Sequence, residues 1–149
     1  MTVTLRPELP SDELFLRNLI LDTIAAELGA SAWPEPLRTQ LLGMQYAGRR
    51  HVGNSAGFIV EADGVSAGWA ALASTDSEVR LVEIMVLAEL RGQGIGAVVI
   101  RQIQASARES GKPVRLNVNV TNAGAIRLYE RLGFRQIESN QVQHTMEFL

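Results

Sequence analysis

The feature that most constrains this chain is an apolar strand running into glycines and then into a helix. Leu81-Val82-Glu83-Ile84-Met85-Val86 lies within a strand predicted over Val79 to Leu87; Arg91-Gly92-Gln93-Gly94-Ile95-Gly96 follows, and a helical pattern then runs to near Gly111. Glycines let a backbone approach an anion closely, and the first N–H groups of a helix are unpaired and carry partial positive charge. The arrangement reads as a phosphate-binding device or, more plainly, as a tight turn with a solvated arginine. Two nucleotide motifs are excluded. A Walker loop needs a Lys-Ser/Thr pair after its last glycine, whereas Ala97-Val98 stands there. The dinucleotide fingerprint needs Gly-x-Gly-x-x-Gly and an acid about 20 residues on. Here the spacing is Gly-x-Gly-x-Gly, and the next strand ends in Val118-Asn119-Val120.

The elements around this loop can be placed by period and punctuation. Val3-Thr4-Leu5-Arg6 alternates as a short strand, and Pro10-Ser11-Asp12-Glu13 opens a helix. Its apolar positions are Leu14, Phe15, Leu19, Ile20, Thr23, Ile24 and Leu28, with Gly29 as the stop. Trp33-Pro34-Glu35-Pro36 turns into a second helix through about Tyr46, and Arg49-Arg50-His51 to Ser55 reads as a polar loop. Phe58 to Glu61 and Val65 to Ala73 form a hairpin around Asp63-Gly64. After the strand, loop and helix above come a strand over Val114 to Val120 and a helix over Asn122 to Leu132, closed by Gly133. Phe134 to Ile137 and Val142 to Phe148 make a last antiparallel hairpin around Ser139-Asn140. No repeat, linker or domain boundary interrupts the order, so residues 1–149 read as one domain. A mixed α/β sheet with helices on both faces accommodates it.

Two motifs in this order resemble a known family. Arg91-x-x-Gly94-x-Gly96 after an apolar strand looks like the acyl-CoA loop of the GNAT acetyltransferase superfamily. Asn122-x-x-Ala125-Ile126-x-Leu128-Tyr129-Glu130-x-Leu132-Gly133-Phe134 resembles that family's second signature, separated from the first by one helix and one strand. Ala88 stands where many members have proline, and Gln93 where many have a basic residue. The resemblance implies a mixed, mostly antiparallel central sheet of about seven strands flanked by about four helices. It also implies an N-acetyltransferase that uses acetyl-CoA as co-substrate and needs no metal. In such a site the N–H groups from about Gln93 to Ala97, with Gly92 and Ile95 in the same loop, cradle the pyrophosphate. Arg91 adds charge-assisted bonds. Asn122 touches the pantetheine arm as well as capping its helix. The exposed edge of the loop's strand, around Met85 and Val86, pairs with the pantetheine amides where it splays from Val114–Val120.

The transfer of an acyl group to an amine needs a base and an acid. Glu83 is the candidate base: it interrupts an apolar strand, shares a face with Leu81 and Met85 by simple alternation, and would be partly desolvated there. The plainer alternative pairs it with Arg80, Arg115 or another cation. Tyr129 is the candidate acid, at the margin of the helix stripe Ala125, Leu128, Leu132; the alternative is a core tyrosine. In GNAT relatives the matching tyrosine faces the coenzyme sulfur. Trp33, Tyr46, Arg49, Arg50 and His51 lie where that family builds its acceptor pocket, although the aromatics also read as core and the basic run as a solvated loop. His144 could line the same pocket, although a lone strand histidine is more often structural. No His/Asp/Glu cluster has metal spacing.

Composition decides among partners. Fourteen Lys and Arg against sixteen Asp and Glu leave a net charge of −2, so no basic field draws nucleic acid or anionic lipid. The chain has no cysteine, and its first ten residues carry charges and proline; a cytoplasmic protein is expected. The acceptor class is open between a protein amine and a small molecule, with the absence of a basic patch favouring the small molecule. Dimers are common among GNAT relatives, and the last hairpin offers a surface for one. The rival function is a non-catalytic acyl-CoA-binding sensor.

Overall fold

The computed structural model describes all 149 residues. Seven strands, β1 (Val3–Pro7), β2 (Ala56–Ala62), β3 (Val65–Ser74), β4 (Val79–Val86), β5 (Val114–Asn119), β6 (Arg135–Ser139) and β7 (Gln143–Phe148), form one sheet in the order β1-β2-β3-β4-β5-β7-β6. Four helices accompany it: α1 (Glu13–Leu28), α2 (Leu37–Arg50), α3 (Ile95–Glu109) and α4 (Ala123–Arg131). Every neighbouring pair is antiparallel except β4 and β5, as a crossover through α3 requires.

The sequence explains most of these elements locally. Asp12 holds the entry to α1 by accepting from the Leu9 N–H at 2.7 Å and from both terminal nitrogens of Arg6 at 2.9 Å. Those bonds hold its carboxyl down at about 2. Gly29 ends α1 in the left-handed region at φ 63°, where a side chain would be strained. Asp63 and Gly64, at φ 52° and 80°, make the tight turn between β2 and β3. The buried stripe of α1 is Leu16, Leu19, Ile20, Thr23 and Ile24. Leu14 is exposed, because it lies roughly 200° around the helix from Leu16. Leu28 is exposed as well, beyond the end of the packed stripe.

Helix α2 runs to Arg50, so Arg49 and Arg50 belong to its last turn and not to a solvated loop. Both guanidinium groups find fixed partners. Arg50 is buried, pairs with Glu8 and Glu13 at 2.9 Å, and lies 5.7 Å above the Trp69 ring. Such partners outweigh the weak helix propensity of Gly48.

Two apolar clusters cover the two faces of the sheet. On one face α1 and α2 close over Ile59, Trp69, Ala71 and Met85, with Val82 and Leu87 at the margin. On the other, α3 contributes Ile95, Val99, Ile100, Ile103 and Ala107 against Val60, Leu81, Val114, Leu116 and Met146, and α4 packs at the same cluster. Each buried isoleucine contributes about 1.5–3 kcal/mol of apolar burial.

One irregularity sets the geometry of the site. Ala71 pairs with Glu83 but Leu72 pairs with Leu81, so Val82 is an extra residue in β4. The bulge shifts the alternation by one. Leu81, Ile84 and Val86 face the α3 cluster, whereas Val82, Glu83 and Met85 face α1 and α2. Glu83 therefore shares a face with Met85 and not with Leu81; regular alternation would have placed all three together. Directly at the bulge the sheet opens. β4 pairs with β5 only over Val79–Val114, Arg80–Arg115 and Leu81–Leu116, and beyond these pairs the two strands part.

Gly68 of β3 holds this part of β4 in place. A Cβ at Gly68 would collide with the carbonyl oxygen of Met85, a backbone atom that cannot swing aside. Gly68→Ala should destabilise the fold by about 1–3 kcal/mol, lowering the thermal midpoint by several degrees in a melt followed by circular dichroism. An unchanged midpoint would show that β4 gives way without cost.

Candidate active site

The parting of β4 from β5 leaves a cleft of about 900 Å³. Val82, Glu83 and Ile84 of β4 and Leu116 to Asn119 of β5 form its walls. Thr121 and Asn122 before α4, with Ala125 and Tyr129 on it, close the cleft on one side, and Glu27, Leu28, Arg49 and Val52 close it from the α1 and α2 side. Glu83, Asn122 and Tyr129, picked from separate parts of the sequence, thus meet in one cavity.

Tyr129 is half-buried, and its ring stands edge-on to Phe134 at 5.7 Å. No protein group hydrogen-bonds its hydroxyl. Burial pushes its pKa above the ordinary tyrosine value, and the negative charge of Glu83 raises it further. The phenol therefore keeps its proton at neutral pH. Asn122 caps α4, its side chain accepting from the Ala125 N–H at 3.2 Å, while it also lines the cleft.

Glu83 is gripped from α2. Arg49 donates through Nε to one carboxylate oxygen at 2.9 Å and through Nη2 to the other at 3.1 Å, and its Nη1 donates to Glu27 at 2.6 Å. Burial alone would lower the Arg49 pKa, but the bonds to Glu83 and Glu27 outweigh it and raise the value, so this arginine stays charged. The partner is neither Arg80 nor Arg115. Arg80 bonds Glu78 at 3.1 Å, and Arg115 bonds Glu147 and Glu78.

The glycine loop supplies donors. Gly92 and Gly94 lie at φ 79° and 83°, in the region that favours glycine, and Gly94 begins α3. The first hydrogen bond of the helix runs from the Val98 N–H to Gly94, so the N–H groups from Gly92 to Ala97 have no acceptor within the protein. Arg91 turns back on β4, its Nε donating to the Val86 carbonyl at 3.1 Å. Val86 is half-buried at the unpaired edge, and the Met85 side chain is buried in the α1 and α2 cluster.

The remaining candidates divide. Only Arg49 among Trp33, Tyr46, Arg49, Arg50 and His51 lines the cleft. Tyr46 donates to Glu13 and Arg50 is locked against Trp69, so both serve packing. His144 lies on the other face of the sheet, beside Ser139 at 2.8 Å, in a separate cavity of about 360 Å³ with Phe134 and Met146. Sequence reasoning missed Glu27, Asn117 and Asn119. The two asparagines were visible as the polar half of the alternation Leu116-Asn117-Val118-Asn119, but nothing local distinguishes Glu27. No group of His, Asp or Glu is placed to hold a metal ion.

Comparison with known proteins identifies the family. The model of the acetyltransferase (GNAT) family fits residues 20–134. The chain belongs to the GNAT acetyltransferase family. Its likeness to individual GNAT proteins is local in sequence. It is 35% identical over 75 residues to the thialysine N-ε-acetyltransferase of Sus scrofa, covering 50% of this chain and 44% of that one. Over 57 residues it is 44% identical to an uncharacterised N-acetyltransferase of Methanocaldococcus jannaschii, covering 38% of this chain and 25% of that one. The chain thus spans less than half the length of either curated relative. The fold match is complete. The PaiA N-acetyltransferase of Thermoplasma acidophilum, solved in complex with coenzyme A, aligns over 99% of both chains with a TM-score of 0.76 at 16% identity.

Tyr46 and Tyr129 are the only tyrosines, and both are shifted upward, Tyr46 by burial and its bond to Glu13. Tyrosinate absorbance in the native GNAT protein should therefore rise only above pH of about 10, the ordinary tyrosine value. Tyr46→Phe isolates Tyr129. Because both folded-state values lie above the unfolded one, their contribution to stability is present below about pH 10 and is lost as pH rises through the folded values. A tyrosine titrating below the ordinary value after Tyr46→Phe would contradict the desolvated placement of Tyr129.

Proposed function

We propose that residues 1–149 act as a single cytoplasmic acetyltransferase domain. It moves an acetyl group directly from acetyl-CoA to a primary amine, with Tyr129 as general acid and Glu83 as general base. The observation that carries this reading is the convergence of a protonated, desolvated phenol and a strand carboxylate in one cleft. The likeness to a thialysine acetyltransferase supports a small amine as acceptor.

The residues present fit the coenzyme. Six consecutive unpaired N–H groups at the start of α3 suit a pyrophosphate, and the unpaired edge of β4 suits the amides of a pantetheine arm. Acetyl-CoA, when bound, supplies the activated thioester. Arg91 already reaches the Val86 carbonyl and can turn its remaining N–H groups to a phosphate. Asn122 and the edge at Met85 and Val86 orient the arm toward Tyr129.

A free alkyl ammonium has a pKa near 10.4, so roughly one molecule in a few thousand is nucleophilic at neutral pH. Glu83 answers that shortage. Each of its oxygens accepts one bond from Arg49 and retains a further lone pair for the proton the amine surrenders. As the new N–C bond forms and the C–S bond breaks, Tyr129 gives its phenolic proton to the departing sulfur, and the tyrosinate is later reprotonated from solvent. No covalent enzyme intermediate is needed.

Calorimetric titration with acetyl-CoA, beside NAD and ATP, tests the loop: saturable binding of acetyl-CoA alone is expected. Tyr129→Phe should then lower kcat by about 100-fold or more while leaving acetyl-CoA affinity nearly intact. Unchanged turnover would remove Tyr129 from the mechanism. Tight acetyl-CoA binding with no thiol release across a broad amine panel would favour a non-catalytic acyl-CoA sensor.

A further inference from the structure

We infer that the amine accepted at this site carries a carboxylate of its own, read by Arg49 and Arg80 while its nitrogen meets Glu83. The inference rests on the acetyl-transfer reading and names its substrate class. The charged residues lining the cleft are Glu27, Arg49, Arg80 and Glu83, two cations against two anions. An ammonium drawn to Glu83 approaches a carboxylate whose two oxygens are both bonded to a guanidinium. Every step toward Glu83 is therefore also a step toward the positive charge of Arg49, and the repulsion grows as water is excluded. A purely cationic amine gains little from such a pair.

An amine that brings a negative group of its own changes this balance. Arg49 has five N–H donors and spends three, two on Glu83 and one on Glu27, leaving two for a ligand. Arg80 bonds Glu78 through Nε and reaches Asn117 only at 3.5 Å through Nη1, so most of its donors are available. Guanidinium forks match the planar geometry of a carboxylate. Leu28 and Val52, exposed at 45% and 41%, add an apolar side to the same cleft, where an aliphatic or aromatic body can rest. The class that satisfies all three features is a free amino acid or a small derivative that keeps its carboxylate.

Matched pairs test this: lysine against cadaverine, ornithine against putrescine, phenylalanine against phenethylamine, each assayed with acetyl-CoA for thiol release. A charge-assisted pair predicts that kcat/KM favours the carboxylate-bearing member by at least about tenfold. Arg49→Gln should bring that ratio close to one; its effect on kcat through Glu83 is common to both members of a pair and cancels in the ratio. Where R49Q does not fold, Arg80→Gln and the wild-type ratio carry the same test. Equal or better turnover of the decarboxylated members overturns the inference and leaves acetyl transfer standing. If neither series releases thiol, the amino acids are titrated into protein loaded with coenzyme A. Binding that R49Q weakens supports the inference, and no binding beside intact acetyl-CoA binding overturns it. Failure of acetyl-CoA itself to bind strikes down the acetyl-transfer reading instead, and this inference with it.

Discussion

The pairing of β4 with β5 stops after Leu81 and Leu116, and the extra residue Val82 sits at the stop. A bulge bends its strand and strengthens the local twist, so β4 swings away from β5 where the parallel ladder would otherwise continue. Backbone polar groups left beyond that point need partners, since unpaired ones are costly when buried. Arg91 meets one of them, at the Val86 carbonyl. The rest of the edge is an open ladder facing a cleft, which is the geometry a linear ligand rich in amides requires. One inserted residue thus creates the opening and turns Glu83 toward α2.

The opening is useful only if α2 stays fixed above it, and here the adjacent arginines divide the work. Consecutive helical residues point about 100° apart, so one guanidinium can face the sheet while the next faces the cleft. Arg50 is the inward one, held by Glu8 and Glu13 over the fully buried Trp69, whose indole N–H donates to the same Glu8 at 2.8 Å. A buried charge left without its partners would cost several kcal/mol, so α2 is strongly registered against β3 and the end of β1. Arg49 inherits that register and arrives at Glu83 in bidentate geometry.

Much of this was legible in the sequence, because the signals were local. Element order, the glycine loop, the Asp63-Gly64 turn and the helix stops all follow from period and backbone conformation, which neighbouring residues determine. The second motif marked Asn122 and Tyr129, and the break in the apolar strand marked Glu83, as candidates for one site. What stayed hidden depends on tertiary partners. Arg49 and Arg50 read as loop residues because polarity alone cannot tell a solvated cation from one with two waiting carboxylates. The face of Glu83 was half right: period 2 put it with Met85, but no pattern in Leu81-Val82-Glu83 announces a bulge. His144 stood open between a pocket residue and a structural one, and the β5–β7 register decides it by placing it on the opposite face of the sheet.

The two faces also explain how the proposed acid and base stand apart. Tyr129 packs with the cluster under α3 and α4, whereas Glu83 stands on the side of α1 and α2, and they communicate only through the gap between the strands. Burial and the charge on Glu83 raise the phenol pKa, and no hydrogen bond joins the two groups, which suits the general-acid role proposed for Tyr129. A donor approaching along the loop of α3 and an amine entering beneath Arg49 would meet in the plane of the sheet, where neither face alone supplies both groups. A residue that moved Glu83 back to regular alternation would abolish that separation, since acid and base would then lie on the same side and the amine would have no path of its own.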